Sequence, residues 1–413
     1  YKSMGEVVKV MRRKLLLPLA VIVLLATAAI AVVTLPIFTP SRPVREQTIE
    51  RELVIGNKVT VNVYRDGRLV QRVEKVGDPW LRNLFVLIAD CFLGRYYNNP
   101  LEFYDINGAA YKSVDWGSIS NNDNVGFPSL VIGIGGSDIA VSLYDYELGL
   151  PYAKVDVTSD NVVTSDNGTM ITISVSASWV ADSNVTVKEV GLYWKGYAPT
   201  GSQNLKTVLL ARDVLPSPLS VVEDDSVIVS YTIYIPYDKA PVLKNLAVLI
   251  ANYIFGLKQY GKSYKYVTTD GTSTVAMDIG DDRYSTSATV PRDSVMEYVY
   301  VATGSGLAIY RSTLNKLYSE VKRSTDPVQI DLSFNSTHAV FSLPAGVITF
   351  TETTTVTEVG IVIHSTDIYT TTDVNTKDVL VLYFPLEQSI KVPAGSGIKF
   401  TFQLAFRLAP ASP

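Results

Sequence analysis

The 413-residue chain predicts a mainly β protein: two tandem β-sandwich domains, each with one buried helix, preceded by an N-terminal transmembrane or signal helix and a β-hairpin. Three observations carry this. An apolar helix and its following motifs occur twice in the same order, long segments alternate apolar and polar side chains, and an uncharged apolar run stands near the start.

The duplication is the strongest of the three. Leu81-Arg-Asn-Leu-Phe-Val-Leu-Ile-Ala-Asp-Cys-Phe-Leu-Gly94 returns as Leu243-Lys-Asn-Leu-Ala-Val-Leu-Ile-Ala-Asn-Tyr-Ile-Phe-Gly256, identical at 8 of 14 positions. Val187 to Leu192 returns as Val356 to Ile361, and Val227 to Ile235 as Ile398 to Phe406. The offsets of 162, 169 and 171 residues drift slowly, as loop insertions make them. A unit of roughly 165 residues buries about 70% of its unfolded surface, enough for a core of its own.

Residues 1–14 read as a basic cytoplasmic segment, with Lys2, Lys9, Arg12, Arg13 and Lys14 against Glu6. That segment carries +4, so the rest of the chain carries −8 of the net −4. An acidic body lacks the electrostatic footprint of a nucleic-acid binder. Residues 15–38 read as a transmembrane anchor or signal peptide. Leu15 to Phe38 is interrupted only by Pro18, Thr27, Thr34 and Pro36, and it is long enough to span a hydrocarbon core of about 30 Å. The basic flank leaves the N-terminus inside and carries the remainder out. A signal peptide beginning at Met11, cut after Ala29-Ile30-Ala31, is the competing reading; the run stays apolar past Ala31, which favours retention. The expected location is the extracellular face of the cell membrane, with a single N-terminal anchor and the C-terminus outside, or secretion.

Residues 39–77 read as a linker and β-hairpin. Pro40 and Pro43 stiffen the linker. Lys58 to Tyr64 alternates, Asp66-Gly67 supplies a turn needing positive φ, and Arg68 to Val73 returns. Residues 78–236 form the first β-sandwich repeat. Asp78 suits the N-cap and Pro79 the first turn of a helix that is apolar on most of its circumference. Gly94 and Gly256 stand where a left-handed residue ends each helix. Residues 237–409 form the second repeat. Thr169 to Trp179, Val227 to Ile235 and Ile398 to Phe406 each alternate, predicting strands with one packed face and one wet face. Pro236 and Pro241 leave few residues between the repeats, which predicts close stacking.

The order of motifs is an apolar helix, Ile132 to Gly136, alternating strands, Lys188-Glu-Val-Gly-Leu192, Leu209-Leu-Ala-Arg-Asp-Val214 and Ser226 to Ile233. This order resembles a β-sandwich domain recurrent in tail-fibre and baseplate-type structural proteins of viruses of bacteria and archaea, with related arrangements in archaeal surface proteins. The likeness covers residues 80–236 well and 243–406 more weakly, and the membrane leader departs from free tail fibres. It implies a non-catalytic, assembled or adhesive protein. The Tyr-rich, Cys-poor, Val/Thr-rich composition is similar to that of surface proteins of hyperthermophilic archaea.

The chain offers little chemistry. His338 and His364 lack zinc-ligand spacing, no Ser/His/Asp or Cys/His arrangement can be assembled, and Gly133-Ile-Gly-Gly136 lacks the Lys-Ser/Thr of a phosphate loop. Asn121 to Asn124 and Asp278 to Asp282 fit no recognised calcium-ligand spacing and read as solvated loops, with calcium ligation aided by carbonyls as the alternative. No catalytic, cofactor-binding or metal residue is assigned, and the protein is expected not to be an enzyme. The lone Cys91 excludes intrachain disulfides and reads as a buried hydrophobe. Glu189 and Glu358 read as carboxylates holding backbone amides, with Gly191 and Gly360 permitting a bulge or close strand approach. Asn167, Asn184 and Asn335 head Asn-X-Thr sequons and are glycosylation candidates.

The expected function is a membrane-anchored surface protein forming a structural or adhesive projection. Its partners are the membrane, through the N-terminal helix, and either further copies or a surface or glycan partner; assembly by strand addition is a sub-hypothesis. The alternatives are a viral spike or fibre and a secreted carbohydrate-binding protein using rings such as Trp80, Trp116, Trp179 and Trp194.

Overall fold

Alternation in the sequence becomes alternation of burial. Along Ser226–Pro236, Val227, Val229, Tyr231, Ile233 and Ile235 are buried while the residues between them are half-exposed. Gly397–Arg407 repeats the pattern with Ile398, Phe400, Phe402, Leu404 and Phe406. The computed structural model describes residues 43–92, 102–112, 129–197, 205–271, 273–274, 296–306, 309–324, 330–344, 346–368 and 374–408. Residues 1–42, Gly94, Trp116, Asn121 to Asn124 and Asp278 to Asp282 lie outside them, as do the side chains of Cys91 and His364. Strand holds 59% and helix 8% of the described residues, so the chain is mainly β. Among those residues no helix is long and apolar enough to cross a membrane.

The first half holds two sheets. One has the order β3-β2-β12-β9-β8, from β2 (Gly56–Arg65), β3 (Arg68–Val76), β8 (Val162–Asp166), β9 (Met170–Val180) and β12 (Ser226–Pro236). The other has the order β11-β10-β6-β7, from β6 (Ser129–Gly135), β7 (Pro151–Asp156), β10 (Val185–Tyr197) and β11 (Leu205–Val221). In the second half β15 (Met296–Gly304), β16 (Glu320–Arg323), β20 (Thr354–Ile368) and β21 (Val374–Val392) give β21-β20-β15-β16, the same order as β11-β10-β6-β7. Its other sheet, β1-β22-β18-β17, joins β1 (Val44–Leu53), β17 (Asp331–Phe334), β18 (His338–Pro344) and β22 (Gly397–Arg407), with β19 (Ile348–Thr349) also on β22. Two small ribbons, β4 (Glu102–Tyr104) with β5 (Ala110–Lys112) and β13 (Tyr266–Val267) with β14 (Ser273–Thr274), also correspond in order.

Asp66 and Gly67 take φ of 48° and 74°, the left-handed turn that joins β2 to β3. The hairpin is not an appendage of the linker: β2 pairs with β12 from Tyr64↔Ser226 to Gly56↔Tyr234 and completes the first half's sheet.

The repeated helices are α1 (Arg82–Phe92) and α2 (Lys244–Leu249), the latter continuing as a π turn over Ile250–Ile254 that ends at Gly256, φ 68°. Asp78 is not the cap of α1. Its carboxylate instead accepts from Val214 N at 2.7 Å and pairs with Lys75 at 2.7 Å, while Trp80 bridges to Ala211, so the helix starts only at Arg82.

Each helix reaches across to the other half. Phe85 of α1 packs against Phe334 and Phe406 at ring distances of 6.3 and 6.0 Å, and Trp80 against Phe255 at 6.0 Å. The Leu130 amide donates to Tyr260 Oη at 2.6 Å. Most of the core is one apolar cluster drawn from both halves, while a smaller cluster in each half, around Tyr193 and around Tyr383, stays separate as expected. The described residues from Val44 onward belong to one compact unit. Helices that are apolar all round demand this, since one sheet covers only one side of such a helix.

Candidate functional site

The repeated Glu-Val-Gly motif builds the same device twice. A β-bulge falls between Val187 and Glu189 on β10 and between Val356 and Glu358 on β20, and each turns a carboxylate inward under a loop. Glu189, wholly buried, accepts backbone hydrogen bonds from Ser137 (3.1 Å), Gly149 (3.1 Å) and Leu150 (2.8 Å). Glu358, also buried, accepts from Gly306 (3.3 Å) and Ser319 (3.0 Å). Packing beside them is tight: a Cβ on Gly360 would lie 2.5 Å from Leu380 Cδ1, and one on Gly191 3.0 Å from Leu148 Cδ2 and Leu209 Cδ1.

The halves diverge in what completes the carboxylate. Arg212, in register with Gly191, donates to Glu189 at 2.7 Å and to Asp145 at 2.8 Å. At the matching place Tyr383, in register with Gly360, donates its hydroxyl to Glu358 at 2.9 Å. The next residue diverges as well. Asp213 is wholly buried and accepts from Tyr231 Oη at 2.8 Å and from the Asp78 amide. Burial pushes its carboxyl up to about 6. In the second half the same two positions are Phe384 and Phe402, whose rings lie 4.8 Å apart.

A second shared device escaped the reading of the sequence. Asn83 donates to Tyr104 O and Leu209 O and accepts from Tyr104 N. Asn245 donates to Val267 O and Leu380 O and accepts from Val267 N. Each amide ties its helix to a ribbon and to a long strand. The signal was present, an asparagine kept in both copies of an otherwise apolar helix.

The edge beside β12 and β22 is where the halves differ in topology. β12 is flanked by antiparallel β2, but β22 is flanked by β1, in parallel, from Val44↔Gly397 to Leu53↔Phe406. It is the only parallel pair among the described strands. Only Ile49 and Leu53 of β1 are buried. At its C-terminal end Glu52 receives Arg407 Nε and Nη2 at 3.0 Å each and faces His338 Nε2 at 2.8 Å. The Arg407 and His338 hydrogen bonds hold the Glu52 carboxyl below the usual range. A groove of about 310 Å³ separates β1 residues Arg45 to Arg51 from β21 residues Phe384 to Ile390.

The three sequons lie exposed at turns. Asn167 and Asn335 use Oδ1 alike, accepting from the amide and hydroxyl of Thr169 or Thr337. Asn184 Oδ1 accepts from Glu223 N at 2.9 Å. Asn167 and Asn335 therefore turn the β8–β9 and β17–β18 hairpins in the same way. Trp80 donates its indole N–H to Ile55 O at 2.6 Å from a fully buried position, which removes it from any ligand-facing surface. Among the described residues, no group of three or more His, Cys, Asp or Glu is placed to hold a metal ion. Compared with family models, with curated proteins and with solved structures, the chain matches none.

Proposed function

We propose that the chain is a non-catalytic, membrane-anchored surface protein whose two β-sandwich repeats, each carrying one buried helix, form a structural or adhesive projection. The observation that carries this reading is the use made of the motif acids. Glu189 and Glu358, the two acids a catalytic reading would choose, are spent on loop amides in both copies. A wholly buried carboxylate that already accepts from loop amides and from Arg212 or Tyr383 is poorly placed to meet a substrate. Support also comes from the duplicated strand order, which presents the same kind of sheet surface twice. The apolar run at 15–38 supplies the anchor and the acidic remainder of the chain faces outward.

The test is protease accessibility on intact cells combined with imaging of the labelled protein at the cell surface. Cleavage of the body without lysis, with label on projections, is the expected result. A body protected until the membrane is broken overturns the reading. Label confined to released particles would move the protein to the viral alternative, and saturable binding on a glycan array to the carbohydrate-binding one.

A further inference from the structure

We propose that β1 is an exchange strand: in the assembled protein the β1 of one copy seats on β22 of a neighbouring copy, in the place it takes here on its own. This deepens the surface-projection reading and rests on it for the crowding that brings copies together.

Four features of the strand point this way. The seat is remote, since Val44 pairs with Gly397, 353 residues on, about twice the separation at the matching edge of the first half, where Gly56 pairs with Tyr234, 178 residues on. The seat is therefore complete only when the last strand has formed, long after β1 has been made. The strand is also lightly held, with two of its ten side chains buried and a polar groove between it and the facing β21. Only Val54 and Ile55 join β1 to β2, and β2 stays in the first half's sheet. So short a connection between strands of two different sheets is a hinge at which identical strands are traded between copies. Finally, the contacts are self-contained. Ile49 and Leu53 enter the apolar cluster, and Glu52 meets Arg407 and His338 within the β1–β22–β18 sheet. A neighbour's β1 reproduces every one of them, so exchange loses no interaction. Because the strand leaves one copy and enters the next, the contact is heterologous and runs on into a chain of copies unless a rotation closes it.

Thr48 and Thr401 stand side by side in the parallel register, facing away from the buried Ile49 and Phe402. Full-length chains carrying Thr48→Cys alone and Thr401→Cys alone, each with Cys91→Ala and a distinguishing tag, are co-expressed and oxidised on the membrane. Exchange predicts a disulfide-linked pair containing both tags, and a ladder of covalent multimers from the double variant Thr48→Cys/Thr401→Cys. Glu50→Cys with Gln403→Cys, in register two residues on, provides a second pair should the first perturb folding. If both double variants close only within single chains and the mixed single variants never link, exchange is overturned. Surface projections that are still imaged in that case leave the wider reading standing, whereas a protease-protected body sinks the wider reading whatever the disulfides do.

Discussion

Replacing Asp213 by asparagine should remove a pH-dependent loss of stability that the wild-type protein carries near neutrality. Asp213 is wholly buried, and its carboxyl is pushed up to about 6 because burial disfavours the charged form more than Tyr231 and the Asp78 amide favour it. Its ordinary value is 3.8. A carboxyl whose folded pKa lies above the unfolded one makes the native state the better proton binder between the two values. Stability from this group is thus full below about 4 and is lost as pH rises through about 6. A shift of roughly two units corresponds to about 3 kcal/mol between those limits. Asparagine keeps an acceptor for the Asp78 amide and can pair with the Tyr231 hydroxyl, so hydrogen bonding is largely retained. Urea unfolding of wild type and Asp213→Asn at pH 4.5 and pH 7.5 gives the measurement. The variant's stability relative to wild type should rise by about 2 kcal/mol from the lower to the higher pH, because pH 4.5 already lies above the unfolded value. Taking the difference between the two proteins cancels the carboxylates held low elsewhere, such as Glu52, whose contribution runs in the opposite direction. Equal pH dependence in the two proteins would refute the argument.

Further outcomes follow from the same contacts. Glu189→Gln should cost about 2–3 kcal/mol in urea unfolding, because the buried Arg212 loses one of its two carboxylate partners and keeps Asp145. Glu358→Gln should cost only about 1–2 kcal/mol, since a neutral Tyr383 hydroxyl is the partner there; equal costs would contradict the assignment. Gly360→Ala should destabilise by about 1–3 kcal/mol through its 2.5 Å approach to Leu380 Cδ1, read as a fall in thermal midpoint. Lys244→Ala removes the pair with Asp166 (2.6 Å) that joins α2 to the β8–β9 turn, and should lower the urea midpoint by the equivalent of about 1 kcal/mol. Intact-protein mass spectrometry of material from the native host should show glycan at Asn167, Asn184 or Asn335, lost on the matching Asn→Gln change.

The alternating strands were plain in the sequence because their period of two survives folding. Thr169 to Trp179 lies within one residue of β9, and Val227 to Ile235 and Ile398 to Phe406 lie inside β12 and β22. The turn at Asp66-Gly67 was plain for a local reason too, its positive φ. Strand order was not, since a hydrophobic pattern fixes which face is buried and leaves the neighbour unspecified. β1 went unread because Val-Arg-Glu-Gln-Thr-Ile-Glu-Arg-Glu-Leu buries only its sixth and tenth residues and looks like solvated linker. Asp78 was misplaced as a cap because the signal for a helix start is local, while Val214 and Lys75 claim the carboxylate from a strand and the hairpin. Arg212 and Asp213 interrupt an apolar run, but nothing in the sequence says whether they are buried or which groups satisfy them.

The duplication permits an internal comparison that a single domain would not. Features kept in both halves are the bulged glutamate, the helix asparagine and the asparagine-headed hairpin turn, and each satisfies backbone groups that any copy of the fold must satisfy. They belong to the scaffold. Features that differ separate into two kinds. Arg212 against Tyr383, and Asp213–Tyr231 against Phe384–Phe402, are alternative fillings of corresponding interior sites on the two faces of a long strand, the second pair polar in one half and apolar in the other. Neither alters an outer surface, so neither needs a function beyond packing. The edge of β22 is different, because there the halves disagree in strand direction and in where along the chain the strand comes from. Packing accounts for the first kind of divergence and not for the second. A duplicated fold that keeps its interior solutions interchangeable while rebuilding one edge is marked at that edge, and β1 is therefore where an assembly function is to be sought.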